Sequence, residues 1–75
     1  MSYCLEEVFE MACQIERNGA DFYRLAAERV TLKSAKELFQ QLAKWELRHE
    51  KKFKQMREEI PEDRRMEYVD PDPHR

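Results

Sequence analysis

The feature that most constrains the fold is the scarcity of helix-breaking residues before position 61. The 75 residues include one glycine, Gly19, and three prolines, the first of which is Pro61. A sheet-rich fold needs frequent turns, and glycine and proline are the usual residues in them. Residues 1–60 therefore predict an all-α protein. A chain this short is one small domain, whose core commonly needs support from a disulfide, a metal ion or a partner subunit.

Two helices are indicated by apolar residues that recur at steps of three or four positions. The stripe of the first helix consists of Leu5, Phe9, Ala12, Glu16, Gly19, Tyr23, Ala26 and Val30. The stripe of the second consists of Ala35, Leu38, Leu42, Trp45, Glu46, His49, Phe53, Met56 and Ile60.

Local signals mark the ends of these helices. Ser2 is a suitable capping residue for the first helix. Ser34 and Glu37 have the spacing of a capping box, which predicts the start of the second helix. Ile60 precedes Pro61, so the second helix is expected to end there.

The short connection between the helices predicts an antiparallel hairpin over residues 1–60. Residues 61–75 are expected to form a short helical turn and an extended, mobile tail. Each helix carries an apolar face wide enough to meet two neighbours. Homodimerisation into a four-helix bundle is the smallest arrangement that covers both faces. Larger ring-like oligomers of such dimers are compatible with the same pattern.

Three polar residues interrupt the apolar stripes near the middle of both helices. Glu16 lies in the first stripe, and Glu46 and His49 lie in the second. An antiparallel hairpin brings these positions to the same height. Burying a carboxylate is costly unless it is paired or bound to a cation. Any one of the three alone is better explained as a structural residue, but their joint placement predicts a site.

The Glu46-x-x-His49 spacing places a carboxylate and an imidazole one turn apart, within reach of one ion. These donors suit iron or manganese, and zinc is a further option. In ferritin-like di-metal bundles, two helices each supply a glutamate and the other two each supply a Glu-x-x-His pair. One chain holds half of this set. The pattern therefore predicts Glu16, Glu46 and His49 as the metal ligands and catalytic residues of a centre with two ions per dimer.

A second interpretation belongs to a different class of protein. In it the chain is a non-catalytic helical dimerisation module, and Glu46 and His49 form a buried polar pair that sets the helix register.

Three segments carry a resemblance to a known family. IERNGADFY at 15–23, AAE at 26–28 and LAKWELRHE at 42–50 resemble the first two helices of rubrerythrin-like members of the ferritin-like superfamily. The resemblance covers roughly residues 4–60. Four-helix members repeat the pattern in a second helix pair, which this chain lacks. It is therefore also similar to encapsulated ferritins, two-helix proteins whose di-iron sites form between subunits.

The resemblance implies an oxidoreductase that oxidises Fe(II) with O₂ or hydrogen peroxide, as a ferroxidase or a peroxide scavenger. It also implies an encapsulating shell as a partner, although no targeting peptide is recognisable. Residues 70–72 resemble the linker before the second helix pair of rubrerythrin-like chains. The chain is therefore either a natural half-protein or a fragment of a longer one.

Tyr23, two turns after Glu16, is either a hydrogen-bond donor to a ligand carboxylate or a core tyrosine.

Composition excludes several other classes. The formal net charge is −2 and no basic stripe is present, which argues against nucleic-acid binding. No apolar run approaches the ~18–20 residues of a membrane span, and no signal peptide is recognisable, so a cytoplasmic location is expected. Cys4 and Cys13 lie about 13 Å apart along a helix, on opposite sides, and cannot form a disulfide with each other.

Overall fold

The structure, a computed structural model, describes residues 3–69. Its elements in chain order are β1 (Tyr3–Cys4), α1 (Leu5–Arg29), α2 (Lys33–Glu59), a 3-10 turn (Glu62–Arg64) and β2 (Tyr68–Val69). The two long helices pack side by side in opposite directions, which confirms the predicted all-α hairpin.

None of the helices described is both long enough and apolar enough to cross a membrane.

The start of α1 differs from the sequence expectation. Its N-cap residue is Cys4, whereas Ser2 lies outside the described residues. The Cys4 N–H donates a hydrogen bond to Glu7 Oε1 at 3.2 Å, which is the glutamate half of a capping box.

The predicted start of α2 is wrong by a short distance. The helix begins at Lys33, after Leu32 as N-cap, and no side chain caps it. Ser34 therefore lies inside the first turn and does not cap the helix. The physical reason is the length of the connection. Residues 30–32, with Val30 and Leu32 in extended conformation, are enough to reverse the chain, so the helix can begin before Ser34. At the other end the helix closes with Ile60 as its C-cap, as expected.

After Pro61 the chain folds back onto the start of α1. β2 pairs with β1 in antiparallel fashion, with Cys4 opposite Tyr68. The sequence did not indicate this pairing, because two-residue strands are too short to show an alternating pattern. The tail expected to be mobile at 70–75 lies outside the described residues.

This returning segment caps α1. The N–H of Leu5 donates to the carbonyl of Glu67 at 2.6 Å, and the N–H of Glu6 donates to the carbonyl of Arg65 at 3.0 Å. These N–H groups belong to the first turn, where a helix offers no internal acceptors. The C-terminal segment is therefore part of the hairpin's hydrogen-bonding scheme.

The hairpin is a single layer, with a thickness of 14 Å measured on its Cα atoms. Its buried apolar residues are all small, namely Cys4, Cys13, Ala20, Ala27 and Ala43. No large side chain in the described part of the chain is fully buried. Both cysteines are free thiols, which agrees with the prediction that they do not bridge. Small residues at the seam let the helices approach closely, but one layer cannot enclose a core.

Deletion of residues 61–75 tests the capping role of the returning segment. The deletion removes the acceptors of the Leu5 and Glu6 N–H groups, and each such bond contributes about 0.5–1.5 kcal/mol. Urea denaturation at a fixed protein concentration should show the free energy of unfolding lowered by ~1–3 kcal/mol. Asp63→Ala, exposed in the 3-10 turn, is the control and should unfold like the wild type. A deletion variant as stable as the wild type would contradict the capping role.

Candidate metal centre

Glu16 from α1 meets Glu46 and His49 from α2 halfway along the hairpin. One ligand atom from each residue lies within 4.8 Å of the other two. His49 Nδ1 is 3.4 Å from Glu16 Oε2. With metal–ligand bonds of ~2.0–2.2 Å, two ligands of one ion are at most about 4.4 Å apart. The three residues singled out from the sequence therefore come together at nearly the spacing that one ion requires.

Aromatic pairs lie on both sides of this cluster, two helical turns away along each helix. Phe9 and Phe53 meet edge to face with ring centroids 6.4 Å apart, and Tyr23 and Phe39 stack with centroids 6.3 Å apart. Apolar neighbours weaken solvation, so unbalanced charge between them is costly. Tyr23 is thus placed in an aromatic layer beside the cluster, and its role as a donor to a ligand stays a prediction.

The two carboxylates repel each other when both are charged, and a proton or a bound cation relieves the repulsion. The Glu16 carboxylate raises the pKa of the Glu46 carboxyl group, chiefly by accepting a hydrogen bond from its protonated form; burial and charge repulsion add to the effect and His49 opposes it. Glu16 Oε2 is buried and accepts no hydrogen bond, because the approach of His49 does not have hydrogen-bond geometry. A bound cation would remove both the repulsion and the unsatisfied oxygen.

A second contact between the helices lies one residue beyond Glu16 and His49. Arg17 Nε donates to Glu50 Oε2 at 2.8 Å, and Arg17 Nη2 donates to Glu50 Oε1 at 3.2 Å. Bidentate pairs of this type combine strength with a defined geometry. The pair joins α1 to α2 beside the cluster, and we expect it to favour the relative height at which the cluster forms.

The sequence interpretation missed this pair. Glu50 is a charged residue outside the predicted apolar stripe, yet it is only 7% exposed. A usable signal was present, because Glu50 follows the buried Ala43 by seven residues and therefore shares its side of the helix. Its partner Arg17 could not be read from spacing, since the two residues lie on different helices.

Large apolar side chains surround the cluster and face solvent. Ile15 and Phe22 on α1 are 66% and 65% exposed, and Leu38 and Trp45 on α2 are 54% and 45% exposed. The side chain of His49, between them, is 56% exposed. We call this surface the open face, defined by these five residues. Exposed apolar patches of this kind usually mark a contact surface.

The comparison with known families gives one match. A family model described as Rubrerythrin matches residues 7–74, which include both helices and all three residues of the cluster. The chain belongs to the rubrerythrin family. Searches among curated proteins and among solved structures found no similar protein.

The cluster fits the iron that this family typically binds. Carboxylate and imidazole donors suit iron. Glu16 has a buried oxygen without a hydrogen bond, and Glu46 has a raised pKa. Both features indicate that a cation bound between these two carboxylates would be stabilised. The chain therefore belongs to a family typified by di-iron carboxylate proteins, and it has a Glu–Glu–His group that can hold a metal ion.

Replacement of Arg17 tests whether the ion pair holds the hairpin in register. Arg17→Met leaves the buried Glu50 carboxylate without its bidentate donor, so the thermal midpoint should fall. Arg24→Met is the matched control, because Arg24 lies seven residues further along α1 and pairs only with the exposed Asp21. Its midpoint should change several-fold less. Equal effects of the two substitutions would show that the Arg17–Glu50 pair contributes no more than an exposed one.

Proposed function

We propose that two copies of the chain assemble through their open faces and hold two irons between them, and that this centre oxidises Fe(II) with O₂ or hydrogen peroxide. The observation that carries the proposal is a cluster of two carboxylates and an imidazole on an uncovered apolar surface, with one buried carboxylate oxygen left unpaired. Membership of the rubrerythrin family supports the same chemistry.

The occupant of the open face is a second copy of the same chain. A single hairpin offers one glutamate and one Glu-x-x-His pair, which is half of the ligand set of a di-metal bundle. A two-fold related copy supplies the matching half, and it also covers the exposed side chains of the first. A dimer of this kind therefore supplies both the ligands and the second layer of helices that a single hairpin lacks.

In such a dimer each residue has a distinct task. Glu16 and Glu46 of both chains supply the negative charge that holds the cations, and His49 adds a neutral donor at the edge of each chain's cluster. The phenylalanine and tyrosine layers on either side limit access of bulk water. Bound iron would supply the redox chemistry, passing electrons to the oxidant; in the ferroxidase role Fe(II) is also the substrate. Manganese and zinc are alternative metals for the same ligands.

The competing interpretation, a non-catalytic module whose Glu46–His49 pair sets the register, is less favoured. The Arg17–Glu50 ion pair joins the same two helices and can set their register without a Glu46–His49 pair. The Glu16 carboxylate raises the pKa of Glu46, so the cluster contains a second carboxylate that a register-setting Glu46–His49 pair does not require. Ring-like assemblies, an encapsulating shell and a cytoplasmic location stay predictions.

Aerobic addition of Fe(II) to the metal-free protein tests the function. Absorbance of a ferric product should grow rapidly with the wild type, with O₂ or hydrogen peroxide as oxidant. Glu46→Ala and His49→Ala should slow this growth by orders of magnitude, because each removes a ligand. Glu37→Ala is the control: it removes an exposed glutamate from the same helix and should leave the rate unchanged. Wild-type rates in both ligand variants, with circular dichroism showing intact helices, would refute the proposed centre.

A further inference from the structure

Gly19 lies one helical turn after Glu16, and its environment is unusual. A Cβ atom built on Gly19 would lie 3.3 Å from Glu46 Oε2, 3.4 Å from Glu46 Cδ and 3.5 Å from Glu46 Cγ. These are the three nearest neighbours of that position. A glycine inside a helix often allows the backbone of a neighbouring helix to approach closely. The group that approaches is instead the carboxylate of a candidate ligand.

The backbone gives no other reason for a glycine here. Gly19 lies within α1, and no residue in the described part of the chain has a positive φ. Alanine would therefore fit the backbone and would favour the helix, since glycine is among the least favourable helix residues. What alanine would change is the space next to Glu46. A contact at 3.3 Å is tighter than nearly all real Cβ contacts, so the carboxylate would have to move by a few tenths of an ångström.

We propose that Gly19 is a positioning residue of the metal centre, and that its missing side chain provides the space in which the Glu46 carboxylate is held for metal binding. The inference rests on the proposed metal centre and adds a residue outside the ligand set. A metal–oxygen bond of ~2.0–2.2 Å tolerates little displacement of the oxygen. Residues that orient ligands typically change metal affinity by about 10–100-fold when they are replaced.

Gly19→Ala separates stability from metal binding. In the metal-free protein its thermal midpoint should rise by about 4–8 °C, because alanine favours the helix. Its affinity for Fe(II), measured by anaerobic titration calorimetry, should fall by about 10–100-fold. A purely structural glycine would not give this combination. An affinity equal to that of the wild type, or failure of the variant to fold, would overturn the proposal.

Two further variants complete the test. Asn18→Ala, at an exposed position next to Gly19, also favours the helix and should leave Fe(II) affinity unchanged. In a Glu46→Asp background, the shorter side chain leaves room for the methyl group of alanine. Adding Gly19→Ala to that background should therefore reduce Fe(II) affinity much less than it does in the wild type. A reduction as large as in the wild type would overturn the proposal. If the wild type itself binds no Fe(II), the proposed function fails together with this inference. If the wild type binds and Gly19→Ala binds equally well, only the role of Gly19 fails.

Discussion

The bidentate ion pair between Arg17 and Glu50 joins the two helices beside the Glu16–Glu46–His49 cluster, and the cluster depends on the height at which the helices meet. The buried apolar residues are alanines and cysteines, whose small side chains interlock weakly, while the Phe9–Phe53 and Tyr23–Phe39 pairs pack between the helices on either side of the cluster. A shift of one turn, about 5.4 Å, would separate Glu16 from His49 by more than the reach of any single ion. The ion pair therefore adds a defined polar geometry to the aromatic packing between the helices.

The single-layer architecture links folding, assembly and metal binding. A hairpin whose buried residues are small gains little from burial, while its large side chains remain on the open face. The candidate ligands lie beside the same surface, so in the proposed dimer a second copy would cover the apolar side chains and bring the charges of both clusters together. Four glutamates close together repel one another, and cations relieve that repulsion. Assembly should thus be opposed by the carboxylates in the absence of metal and favoured by metal when it is present.

Much of this arrangement was predictable from the sequence, for identifiable reasons. Glu16, Glu46 and His49 could be found because polar residues at matching heights in apolar stripes are a strong departure from an ordinary helix pattern. The hairpin followed from the near absence of glycine and proline before Pro61. The capping pattern at Ser34 and Glu37 predicted the start of α2 incorrectly. The short connection between the helices, and not this pattern, determines where α2 begins.

Other features depend on contacts between distant parts of the chain. The β1–β2 pairing joins the two ends of the described chain through strands of two residues each, too short to carry a pattern. The Arg17–Glu50 pair needs the helix register before it can be recognised. Gly19 was noticed from the sequence, but its neighbour Glu46 could be identified only from the packing of the side chains.

The most direct test of the central claim, a metal centre completed by a second copy, is to measure iron content and molecular mass together over a range of protein concentrations. Sedimentation of the iron-loaded protein, with absorbance of iron and protein recorded on the same boundary, gives both quantities. The account predicts two irons in a species of twice the chain mass, and loss of iron when dilution separates the chains. A monomer that keeps its full iron content on dilution, or a stable dimer that takes up no iron, would contradict it.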